Sequence, residues 1–113
     1  MLPSANRLRR SADFAAVLRG GARARRGHLV VHLARDFDDG APVVGFVVGK
    51  GVGGSVVRHR VSRRLRHEMA RRVDLLPLGS GTVVRALPGA AEDDSARFGS
   101  DLDVALERLV GTR

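Results

Sequence analysis

Residues 49–66, GKGVGGSVVRHRVSRRLR, hold the side chains best suited to chemistry with a ligand. A glycine-rich turn containing Lys50 leads into a run with Arg58, Arg60, Arg63, Arg64 and Arg66. A guanidinium is planar, permanently charged, and donates through a fork that fits phosphate oxygens. The unpaired N–H groups at the start of a helix attract anions as well. A turn and helix of this composition predict a polyphosphate partner.

Other chemistries fit less well. Gly49, Gly51 and Gly54 satisfy the G-x-G-x-x-G spacing of a dinucleotide-binding turn. The chain lacks the repeated βαβ units that form the nucleotide crevice, and no acidic residue ends the next predicted strand. A Walker A loop is excluded, because Lys50 comes before the glycines and no Ser or Thr follows it. Two acidic runs, Asp36/Asp38/Asp39 and Glu92/Asp93/Asp94, have the ligand chemistry for magnesium, but such runs equally serve as solvated turns or helix-dipole complements. His28 and His32 are spaced to share a strand face and could bind zinc, although no third ligand is evident. His59 and His67 sit among arginines and suit hydrogen bonding better than general-base work. No nucleophile–base set suggests itself, so catalytic residues are expected to be none and a protein-borne metal site stays unknown.

Charge distribution names the polyphosphate. The 113 residues carry a net charge of +8, with nineteen arginines and one lysine. Residues 1–26 carry +6 and residues 50–72 carry +7, whereas residues 92–107 carry −5. Basic charge in two blocks is the footprint of a nucleic-acid binder. Four phenylalanines, with no tyrosine or tryptophan, leave few stacking platforms, so an RNA would be held mainly by backbone and shape. There are no cysteines, no apolar run long enough to span a membrane and no signal-like N-terminus. A single domain over residues 1–113, cytoplasmic and without membrane contact, is the expectation.

The elements that must position these groups follow from periodicity. Ser11 as an N-cap, Asp13, an apolar face of Phe14, Val17 and Leu18, and a stop at Gly20 and Gly21 predict a short helix. His28 to Ala34 alternates as a strand. A polar turn then leads to a buried strand over Val43 to Val48, and the two are expected to pair as a hairpin. A helix over Ser55 to Val73 presents Val57, Val61, Leu65 and Met69 as its apolar stripe. Arg60, Arg63, Arg64, His67 and Arg71 lie on an adjacent face, with Arg58 and Arg72 flanking the stripe. A strand over Thr82 to Leu87 and an acidic helix over Glu92 to Val110 complete the order.

These motifs together resemble the protein subunit of bacterial ribonuclease P. Asn6, Arg7 and Leu8 followed by Asp13, Phe14 and Val17 match that family's N-terminal pattern. Val44, Gly45 and Phe46 leading to Lys50, Val52, Gly53 and Val57 match its central strand and turn. Arg58 to Val61 with Arg63 to Arg66 match its basic RNR helix, and Val83 to Arg85 before Pro88 its last strand. His59 replaces the motif's asparagine, Ser62 stands where a basic residue is usual, Gly49 where serine is frequent, and His32 where an aromatic is common.

The resemblance implies an α+β fold, ribonuclease P protein / ribosomal S5 domain 2-like: a two-layer, four-stranded sheet packed with helices. Its order is α-β-β-(β)-α-β-α, with a left-handed βαβ crossover against the general rule. It implies binding to a catalytic RNA subunit and to the 5′ leader of precursor tRNA, so that the holoenzyme, an endoribonuclease, matures tRNA 5′ ends. Magnesium would be held mainly by the RNA, with none bound stably by the protein alone and no protein partner required. Arg58, His59, Arg60, Arg63, Arg64 and Arg66 would meet the RNA. Phe14, Val17, Leu18, His32 and Lys50 would line the leader cleft, and Arg7, Arg9 and Arg10 would add RNA contacts. The competing readings are a general structured-RNA-binding or ribosomal-type protein without a catalytic partner, and a stand-alone nuclease.

Overall fold

A computed structural model describes residues 2–111. Helix α1 (Ser11–Gly20) is followed by strands β1 (Ala22–Arg26), β2 (Leu29–Ala34) and β3 (Val43–Val48), helix α2 (Ser55–Ala70), strand β4 (Gly81–Ala86) and helix α3 (Ser95–Val110). The four strands form one mixed sheet in the order β1-β2-β4-β3. β1–β2 and β2–β4 are antiparallel and β3–β4 is parallel, so α2 is the crossover between two adjacent parallel strands.

The expected hairpin between residues 28–34 and 43–48 does not form. β4, whose first four residues are all buried, lies between those strands and pairs with both. The hairpin that does exist joins β1 to β2 through the two-residue turn Gly27 and His28, with Gly27 at φ +58°, the left-handed geometry that tight hairpins need. β1 reads ARARR and buries only Ala24, so its sequence lacks the apolar alternation of a core strand. Such a charged edge strand discourages pairing with other chains. The opposite edge is covered: Leu8 N–H donates to the Val44 carbonyl at 2.9 Å, and Arg7 bridges Val44.

Alternation divides the sheet into two faces. Leu29, Val31, Leu33, Val44 and Val84 face α2 and α3, which supply Val61, Leu65, Met69, Phe98, Leu102, Ala105 and Leu106. Each of these side chains other than Ala105 contributes roughly 1.5–3 kcal/mol when fully buried. The other face holds a smaller cluster in which Leu8, Val17 and Val83 are joined by Phe14, Ala34, Phe37 and Val43. Helix layers therefore occur on both faces, but α1 covers only part of its own.

Helix boundaries shift slightly from expectation. Ser11 is the first helical residue of α1 and not its cap. α2 ends at Ala70, before a single 3-10 turn over Val73–Leu75. α3 begins at Ser95, where Asp94 accepts the Arg97 N–H at 2.8 Å as a true N-cap, while Glu92 belongs to a separate 3-10 turn.

Candidate nucleic-acid interface

Burial of Val61, Leu65 and Met69 fixes the rotation of α2 and so sorts its cations. At its start, Arg58 and Arg60 have buried Nε atoms with no partner, and Arg63 is exposed, with no hydrogen bond or ion pair among the described residues. Arg58 lines a shallow groove with Phe46, Val48, His59 and Ser62; Arg60 and Arg63 line another with Ser55 and Val56.

Further along, the cations are tied. Arg64 Nη1 donates to the Asp93 carbonyl at 2.9 Å, and Arg66 Nη1 to Ser62 Oγ at 3.1 Å. Arg72 reaches the Glu68 carboxylate at 3.1 Å and Asp103 at 2.6 Å, and Arg71 approaches Glu68 at 3.7 Å. The hydrogen bond to Asp103 raises the Arg72 guanidinium pKa, and the same bond holds the Asp103 carboxyl below the usual carboxylate range. Of the six expected RNA contacts, then, Arg58, His59, Arg60 and Arg63 sit together with unengaged side chains, while Arg64 and Arg66 lie beyond them, already bonded.

The second face of the sheet carries most of the residues expected to line the leader cleft. The Phe14 ring lies where a Gly45 side chain would be, so the glycine is what lets α1 dock on β3. α1 then crosses toward β1, which it joins through Gly21. Strand register aligns Arg23, His32, Val83 and Gly45 in one row beside α1, and Arg25, Val30, Arg85 and Val47 in the next, open row. Leu18 is 37% exposed, and Lys50 is exposed in the turn after β3. Val17 and His32 were expected to line the cleft, but both are buried: Val17 packs under α1 on Val83, and His32 is 3% exposed. Burial, then the charges of Arg85 and Arg23, push the His32 pKa below its ordinary value, and its Nε2 has no partner. Sequence reasoning missed Arg23 and Arg25 on this face because β1 itself was missed. The alternation Ala-Arg-Ala-Arg at 22–25 was the available signal.

The N-terminal arginines lie elsewhere. Arg7, Arg9 and Arg10 line a cavity of about 1050 Å³ with Asp13, Asp36, Asp38 and Val43, at the end of β3 away from Lys50. Arg7 Nε donates to the Leu2 carbonyl at 3.2 Å, and Arg9 bonds Ser4.

The acidic runs do not suit magnesium. Asp38 accepts the Asp39 N–H, Asp93 holds His28 Nδ1 at 2.7 Å and Asp94 caps α3. Among the described residues no three His, Asp or Glu side chains converge as a metal site. His28 and His32 part company: His28 precedes β2 and turns to Asp93, so they form no zinc pair. No helix among the described residues is long and apolar enough to cross a membrane.

Comparison with known proteins shows the family and the fold. A family model described as Ribonuclease P matches residues 2–110. The chain is 56% identical to the ribonuclease P protein component of Streptomyces avermitilis over 98% of this chain and 97% of the relative. It is 50% identical to that of Acidothermus cellulolyticus, covering 100% and 95%. Among solved structures, the ribonuclease P protein of Staphylococcus aureus superposes with a TM-score of 0.81 at 19% identity, covering 94% of this chain and 98% of that one, a likeness of fold. The protein from Thermotoga maritima superposes with a TM-score of 0.78 at 25% identity, covering 93% and 98%.

Proposed function

The chain belongs to the ribonuclease P protein family, and from that premise we propose that it binds a catalytic RNA subunit and the 5′ leader of precursor tRNA. The observation that carries this reading is the trio Arg58, Arg60 and Arg63, unpartnered at the start of α2. Beside it lies a sheet whose strands contain no Asp or Glu. Charged groups inside a fold are normally paired, and cations left unpaired together are matched by a polyanion.

The α2 start, with His59, would meet the RNA subunit. Arg7, Arg9 and Arg10 add cationic contacts at the far end of β3. Leader RNA would lie on the open sheet face, with Phe14 and Leu18 as its apolar wall and Lys50 at the rim. Phe14 is half-buried and Leu18 exposed, so both offer surface to a base. Val17 and His32 support that wall from beneath. Magnesium-dependent hydrolysis is assigned to the RNA partner, and the protein's part is electrostatic: neutralising phosphates where two polyanions approach lowers the magnesium that assembly requires.

The test is 5′ cleavage of a precursor tRNA at low magnesium with a bacterial ribonuclease P RNA, the protein, or both. Cleavage with both together and with neither alone is expected. Cleavage by the protein alone would overturn the division of labour, and absence of stimulation at every magnesium level would leave a general RNA-binding protein.

A further inference from the structure

The open row of the sheet carries more charge than the cleft wall accounts for. Read across β1, β2, β4 and β3, its residues are Arg25, Val30, Arg85 and Val47, with Arg23 in the adjoining row on β1. Arg23 and Arg25 are exposed, Arg85 is half-buried, and none has an ion-pair or hydrogen-bond partner for its side chain among the described residues. The other charged side chain of β1, Arg26, points to the opposite face, where it meets Asp101 at 3.5 Å. Arg108 from α3 donates to the Arg25 carbonyl at 3.2 Å, which anchors the strand and leaves the Arg25 guanidinium free.

We infer that Arg23, Arg25 and Arg85 form a phosphate track that carries the leader beyond the α1 wall and out over edge strand β1. The inference rests on the proposed leader cleft and adds the direction in which the leader leaves it. Three features support a single-stranded RNA backbone as the occupant. Residues two apart on a strand lie roughly 6.8 Å apart, and residues two strands apart about 9.6 Å, so the three guanidinium forks address separate phosphates. Val30 and Val47 alternate with Arg25 and Arg85, offering apolar contact to sugars or bases between the charges. Val47, on edge strand β3, is 37% exposed. These four strands also offer no carboxylate that would repel a phosphate backbone.

The experiment compares binding of precursors with leaders of increasing length by the holoenzyme, reconstituted with a bacterial ribonuclease P RNA. It uses the wild type and the Arg23→Gln/Arg25→Gln variant. The wild type is expected to keep gaining affinity at leader lengths where the variant has levelled off. With long leaders the variant's salt slope should be shallower by about 1.4, from about 0.7 per single-strand phosphate. Arg23→Lys/Arg25→Lys should restore most of the slope, which a merely unfolded edge strand would not. Equal leader-length profiles in wild type and variant would overturn the track while leaving the cleft intact. A wild type indifferent to leader length would overturn the cleft itself, and the track with it.

Discussion

The start of α2 and the seam between α2 and α3 are built from the same residue type and do opposite things. At the start, Arg58, Arg60 and Arg63 find no acceptor among the described residues. At the seam, about three turns further on, Arg72 is gripped by Glu68 and Asp103, and Glu68 is itself only 5% exposed. The acidic stretch that follows β4 supplies the difference. Asp103 and the Asp93 carbonyl reach Arg72 and Arg64, whereas among the described residues no hydrogen bond or ion pair runs from that stretch to Arg58, Arg60 or Arg63. A cation in or just beyond this helix is structural where residues 93–103 pass and available at the first turns.

The largest expected effect breaks the seam. Arg72→Ala leaves Glu68 buried, with only Arg71 nearby at 3.7 Å, and should cost about 3 kcal/mol in urea unfolding. Adding Glu68→Gln should recover part of that loss, because the uncompensated charge is gone. A loss under about 1 kcal/mol for Arg72→Ala would show that the seam is not holding α3 to α2.

The start of α2 should respond in the opposite sense. Arg60→Ala/Arg63→Ala is expected to change stability by no more than about 0.5 kcal/mol, because neither guanidinium has a hydrogen bond or ion pair among the described residues to lose. It should raise the magnesium needed for cleavage and make the salt dependence of RNA binding shallower by about one unit for each phosphate no longer neutralised. Unchanged magnesium and salt dependence would remove this region from the RNA interface. Arg64 tests the boundary between the two behaviours. Arg64→Ala forfeits a bond to the Asp93 carbonyl and should lose about 1 kcal/mol of stability. Its effect on the salt slope should be smaller than that of Arg60 or Arg63.

The basic helix and its apolar stripe were legible in the sequence, because a stripe at 3.6-residue spacing needs only local information. Which arginines stay free was not legible. That depends on where residues 93–103 pass, and the topology hides it: β4 inserts between β2 and β3, so strands that read as a hairpin are separated. β1 was missed for a different reason. Only Ala24 of its five residues is buried, and periodicity arguments need an apolar face. Its arginines alternate all the same, and that alternation is what places Arg23 and Arg25 on the cleft side. Gly45 is a third case: its role is set by the Phe14 ring, thirty-one residues earlier, and no local pattern announces it.

The smallest effect gives the most direct reading of the unpaired charges. His32 is buried, and Arg85 and Arg23 add repulsion to that burial, so its folded pKa lies below the ordinary value of about 6.5. Below that value the unfolded chain takes up a proton that the folded chain declines. The His32 contribution to stability therefore falls as pH drops from about 6.5 toward the folded pKa, and levels off beneath it. His32→Leu should flatten the pH dependence of the melting temperature between pH 7 and 5 relative to the wild type. Followed by NMR, the His32 midpoint should rise in Arg85→Gln, which removes the repulsion and keeps the burial. It should stay put in Arg97→Gln, where the missing cation was already matched by Asp101 at 3.2 Å on the opposite face of the sheet. Equal shifts in the two variants would mean that net charge, and not the unpaired arginines of the cleft, sets the field at His32.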